Sequence, residues 1–127
     1  MPPRFSRRAA LWLPPLVYMG IIYYLSSQSD PIPQVTSVVW DKLLHFLEYG
    51  GLATLFARAL LGEGLTVPAT IVAAVVLTSA YGASDEIHQS TVPQRQADVR
   101  DWLVDGIGAS VGAALATLRA RGRASKA

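Results

Sequence analysis

Cysteine is absent from the 127 residues. Its absence excludes disulfides, thiolate nucleophiles and zinc–thiolate centres, and leaves the redox compartment open. Charge is scarce as well: 16% of the residues are Asp, Glu, Lys or Arg, against roughly 25% in an ordinary soluble domain. Histidine occurs only at positions 45 and 88. Ser90 and Thr91 belong to no nucleophile–base–acid pattern, so covalent catalysis through a hydroxyl has no support. The net charge of +2 invites a nucleic-acid partner. The basic residues are not interleaved with aromatics on one surface, however, and nucleic acid is excluded as a partner.

Apolar residues make up 51% of the chain, and their grouping in long runs reads as one membrane domain. Four segments stand out, about Ala9–Ser27, Val39–Leu61, Val67–Ser84 and Val99 or Asp101–Leu118. Each is near the roughly 20 residues that a helix needs to cross about 30 Å of hydrocarbon. Pro14-Pro15 predicts a kink in the first segment or a start pushed inward, and the proline-rich stretch 29–33 a loop. Gly62-Glu63-Gly64 predicts a short turn. The Arg-rich start resembles a secretory signal, but no small-x-small cleavage site follows the apolar run, so the first segment is expected to be retained. The fold class that follows is all-α, an integral membrane bundle of four transmembrane helices. Its expected parts are a basic N-terminus at 1–8, the membrane domain at 9–118 and a basic tail at 119–127.

Charge segregation orients the bundle. With four crossings both termini share one side. That side carries Arg4, Arg7, Arg8, Arg58, Arg119, Arg121, Arg123 and Lys126, eight of the eleven basic residues. The opposite side takes Lys42, Arg95 and Arg100 with eight of the nine acids. The positive-inside rule therefore predicts cytoplasmic termini and an acidic face turned outward. In a soluble bundle the charges would instead form stripes along the outer helix faces.

Between the uncharged runs 71–83 and 106–118, the stretch from Asp85 to Asp101 holds seven ionisable side chains. Ionisable residues beside membrane segments form a functional-site hypothesis by default. In the second segment Asp41, His45 and Glu48 share a helical stripe, with Tyr49 flanking them. In the third, Glu86 and Gln89 share a face while His88 points elsewhere. Asp98, Asp101 and Asp105 line one face of the fourth, where pairing with Arg95 or Lys42 is the structural alternative to a binding role. Gly108 and Gly112, in a small-xxx-small pattern, predict close helix packing within the chain or between copies.

The pattern Asp41-Lys42, His45-Phe46 and Tyr49, followed by Asp85-Glu86, His88-Gln89, Pro93, Arg95, Asp98, Asp101, Asp105 and Gly108-Ala109, resembles the VanZ-like membrane family, named for a protein associated with teicoplanin resistance. The likeness covers about residues 10–118. Gln94 stands where that family usually has glycine between the proline and the arginine. The resemblance implies a small four-span bacterial membrane protein in which Lys42, His45, Glu86, Gln89, Arg95, Asp98, Asp101 and Asp105 form one site.

Three readings of that site stay open. In the first, the site is a receptor: Lys42, Gln89, Arg95, Asp98, Asp101 and Asp105 bind an anionic cell-envelope or lipid-linked ligand, Arg95 through its planar fork. In the second it is an enzyme, with His45 or Glu86 as general acid or base. In the third the polar groups clamp the helices together. No cofactor is indicated beyond a divalent cation on the spare carboxylates Asp98, Asp101 and Asp105, since such ions prefer oxygen ligands. Membrane lipids are the expected partners, with self-association through the Gly108/Gly112 face as a further expectation.

Overall fold

The computed structural model describes residues 4–27, 38–93 and 99–126, with backbone alone for 38–41. Four α-helices make up the described chain: α1 (Arg4–Ser26), α2 (Val38–Gly62), α3 (Val67–Gln89) and α4 (Val99–Ser125). The fold is the all-α bundle that the apolar segments imply. The loop expected at 29–33 lies outside the described residues.

Local chemistry explains where the helices begin and end. The Thr66 side chain caps α3 by accepting from the Ala69 amide at 3.4 Å, and Pro68 sits in the first turn, where no intrahelical amide is needed. No glycine or proline follows Gly82 until Pro93, so α3 runs past the expected end at Ser84 and carries Asp85, Glu86 and Gln89 into its last turns. The Ser90 and Thr91 hydroxyls then donate to the carbonyls of Ile87 and His88, at 2.5 and 2.7 Å, where the helical ladder runs out. Gly64 makes the turn into α3 at φ +97°, a conformation that a Cβ disfavours. Gly62 is still helical.

α1 starts at Arg4 and passes through Pro14 and Pro15 without ending, so its start is not pushed inward. Pro14 has no N–H to offer the Ala10 carbonyl one turn earlier. The Arg58 guanidinium donates to that carbonyl instead, at 3.1 Å, and so ties α2 to the proline turn of α1.

The helices run alternately up and down. The end of α1, the start of α2, the end of α3 and the start of α4 meet at one end, through Ser26–Gln89 and Lys42–Asp101. Arg7 with the Gly62 carbonyl, and Arg8 with Glu63, mark the other. α2 touches all three partners, whereas α1 and α4 do not meet among the described residues. Tyr49, Leu52, Ala53, Phe56, Ala57 and Leu60 of α2 accordingly form most of the buried core.

α1, α3 and α4 are each long and apolar enough to cross a membrane. Their outer faces leave apolar stripes exposed: Leu13, Val17 and Ile21 on α1, Val72 and Val76 on α3, Ile107, Val111 and Leu115 on α4. Stripes of that length are stable against lipid, not water. α2 has 25 residues, about 37 Å at helical rise, but it carries Lys42, Glu48 and Arg58 and is wrapped by the other three. Lys42 and Glu48 are half-buried against neighbouring helices, and the exposed Arg58 is satisfied by the Ala10 carbonyl of α1.

Glycine sets the closest approach. A Cβ on Gly112 would overlap the Gly50 carbonyl oxygen, and one on Gly108 would meet the Phe46 carbonyl oxygen. The stripe that sequence assigned to packing within the chain or between copies is thus filled by α2 of the same chain. Thr54 bridges the seam, donating to the Gly50 and Gly112 carbonyls at 2.9 and 3.3 Å.

Candidate functional site

Close α2–α4 packing brings the polar starts of both helices side by side. Lys42 and His45 of α2 lie one turn apart, opposite Asp101 and Asp105 of α4, also one turn apart. Lys42 forms a salt bridge with Asp101. His45 Nδ1 faces Asp105 Oδ1 at 2.9 Å, and its Nε2 faces Asp101 Oδ2 at 3.7 Å. Asp101, Asp105 and His45 are buried, with Asp105 fully enclosed.

α3 supplies the third wall. One ligating atom each of Glu86, His45 and Asp105 lie within 4.8 Å of one another, and all three residues are buried. Asp105 Oδ2 is enclosed without a hydrogen-bond partner among the described residues. A Cβ at Gly82, one turn before Glu86, would come within 3.0 Å of it. Gly82 is therefore what lets α3 approach the Asp105 carboxylate.

Tyr49 continues the α2 stripe inward. Its hydroxyl donates to Asp85 Oδ2 at 2.7 Å, and its ring lies parallel to that of His45 with centroids 6.1 Å apart. The inward stripe on α2 is thus Lys42–His45–Tyr49. Glu48 is half-buried beside it, and the Asp41 side chain lies outside the described residues. The stripe expected from Asp41, His45 and Glu48 is rotated by about one residue, because the glycines at 50 and 51 turn a different face toward α4 and α1.

Of the eight residues placed in one site by sequence, Lys42, His45, Glu86, Asp101 and Asp105 converge. Gln89 is buried nearby and donates to the Ser26 hydroxyl at 3.4 Å, toward α1. Arg95 and Asp98 lie outside the described residues, as does Gln94. His88 stands apart, stacked on Tyr23 at 4.4 Å and 3.0 Å from the Ser27 hydroxyl. Sequence reasoning left Asp85 and Gly82 out of the site. The i, i+3 relation between Gly82 and Asp85 and the i, i+4 relation between Gly82 and Glu86 were the available signals, but which face α3 turns inward depends on its packing.

A bundle of apolar-faced helices of membrane-crossing length, with ionisable side chains enclosed at one end, is a helical membrane protein. More narrowly, the chain belongs to the VanZ/LLP1 family, whose model matches residues 4–120. No curated protein and no solved structure matches it.

Proposed function

We propose that the polar end of the bundle binds an anionic group, a phosphate or carboxylate, of a cell-envelope or lipid-linked ligand. Lys42 is the observation that carries this reading. Its side chain is 22% exposed, at the rim of the site, while its partner Asp101 is buried and also faces His45. A ligand anion exchanges for Asp101 on Lys42, and Asp101 closes on His45 Nε2. No buried charge is stranded in that exchange, which matters because an unpaired ion in such surroundings costs several kcal/mol, of order 3–5. Arg95 serves as the second cation, and Asp98 and Gln89 as polar contacts to the rest of the headgroup.

The asymmetry of basic residues supports the placement: a bacterial plasma membrane crossed four times, both termini in the cytoplasm and the polar end outward. A cysteine-free chain makes this directly testable. Thr91→Cys should react with an impermeant maleimide added to intact cells, and Ser125→Cys only after lysis; the reverse pattern rejects the orientation. An outward site that takes a peptidoglycan precursor links the chain to glycopeptide resistance of the teicoplanin kind.

Binding is tested with purified protein in lipid discs, isolated envelope lipids and peptidoglycan precursors, bound species being identified by mass spectrometry. Lys42→Gln is expected to weaken capture about tenfold or more, the effect of removing a charge-assisted contact of roughly 1.5–3 kcal/mol. Equal saturable capture by wild type and Lys42→Gln rejects the reading. The His45–Asp105 pair favours a second one, acid–base catalysis, because a carboxylate on one ring nitrogen orients the imidazole for proton transfer at the other. Turnover abolished by Glu86→Gln and His45→Ala would establish it.

A further inference from the structure

We infer that His45, Glu86 and Asp105 form a binding site for a divalent first-row transition ion of the zinc type, held between α2, α3 and α4. The three residues come from three different helices, and each offers a ligating atom, all within 4.8 Å of one another in a buried cluster. Donor atoms around a tetrahedral ion at bonds of about 2.0–2.2 Å stand about 3.3–3.6 Å apart, so side-chain adjustments on the order of an ångström close the three donors on an ion from the 4.8 Å within which they already lie.

A second observation points to the same place independently of the clustering. Asp105 Oδ2 is fully enclosed and has no hydrogen-bond partner among the described residues. An enclosed carboxylate oxygen calls for a proton or a cation. Gly82 keeps the approach to this oxygen clear of a side chain.

The surroundings suit a ligating histidine. Nδ1 lies on the Asp105 side and is the nitrogen placed to ligate, while Nε2 turns toward Asp101. A carboxylate on the second nitrogen orients a metal-bound imidazole and raises its basicity. Asp101 is therefore a positioning residue and also the link to Lys42. One imidazole nitrogen with two carboxylate oxygens selects zinc, iron(II) or manganese(II) over magnesium, which prefers oxygen alone. Three protein ligands leave a position open to an exogenous oxygen, as in zinc sites that engage substrate rather than purely structural ones. The site differs from the carboxylate set at Asp98, Asp101 and Asp105 in using a nitrogen donor and α3. It also stands whether or not Lys42 binds an anion.

The test uses the full chain purified in detergent, stripped with chelator and titrated with Zn²⁺. One equivalent is expected to bind, with X-ray absorption showing a nitrogen/oxygen shell that contains one imidazole. Glu86→Gln and His45→Gln are expected to weaken uptake at least tenfold. His88→Gln should leave it unchanged, and a wild type that takes up zinc but captures no anionic ligand identifies a failure of the ligand reading alone. Zinc is also expected to raise the melting temperature of wild type but not of the two ligand variants. A hundredfold excess of Mg²⁺ should not displace it. Absence of a stoichiometric equivalent in folded wild type, a shell without imidazole, or equal uptake by wild type and both ligand variants overturns the inference.

Discussion

Gly112→Ala is expected to lower the stability of the purified protein by about 3 kcal/mol, the upper end of the range for overpacking a well-filled interior. The reason is what the new methyl group meets. A Cβ at 112 overlaps the Gly50 carbonyl, which is helix backbone and cannot swing aside as a side chain can. α4 must then move away from α2, breaking the Thr54 bridge to the Gly112 carbonyl. The same movement separates Asp101 and Asp105 from Lys42 and His45, so ligand and metal binding should fall together with stability. Gly20→Ala is the matched comparison, because nothing lies within 4 Å of a Cβ there. That change should be neutral or stabilising, by up to about 1 kcal/mol from helix propensity. Thermal unfolding in the same detergent measures both, and equal melting temperatures for the two variants would refute the close α2–α4 seam.

Removing the carboxylate of Asp105 is expected to be at least as damaging. Asp105→Ala leaves His45 buried without its 2.9 Å partner, a change of the class that costs about 3–5 kcal/mol. Asp105→Asn keeps the volume and should lose less stability, but it gives up the charge that pairs with the imidazole. The double variant His45→Leu with Asp105→Leu separates a binding site from a clamp. Replacing a buried ion pair by apolar side chains of similar size is often neutral or stabilising, so the double variant should recover most of the stability lost in Asp105→Ala. It should still bind neither zinc nor an anionic ligand. If it stays as unstable as the single variant, the pair is holding the helices together through more than its own charges.

Much of this organisation was legible because membrane segments advertise themselves. Uncharged runs such as 71–83 and 106–118 announce helices by length alone, and the spacing of Asp101 and Asp105 announces a shared face by helical period. The limits were equally physical. The apolar run of α3 stops near Ser84, where charge begins, yet charge does not stop a helix whose polar side chains find partners in neighbouring helices. Asp85 finds Tyr49, and the helix continues to Gln89. Pro14-Pro15 left a start pushed inward open, because sequence shows a missing donor and not the remote Arg58 that satisfies the freed carbonyl.

The glycines illustrate the same division. Gly108 and Gly112 were recognisable as a close-packing stripe, but not whose backbone would fill it. Gly82 carried only its spacing from Asp85 and Glu86 as a signal, although it lies against the carboxylate at the centre of the site.

By itself the sequence determined the all-α class, the apolar segments, the segregation of charge and the residue types from which a polar site could be built. These follow from composition and from periodicities of 3.6 residues, which are local properties of the chain. Only the tertiary structure decided that α2 is the wrapped helix, that Lys42, His45 and Tyr49 form its inward stripe, and that His45, Glu86 and Asp105 meet. The rotation of a helix about its own axis is set by what its neighbours present, here the glycine seam with α4, and that information lies some sixty residues away along the chain.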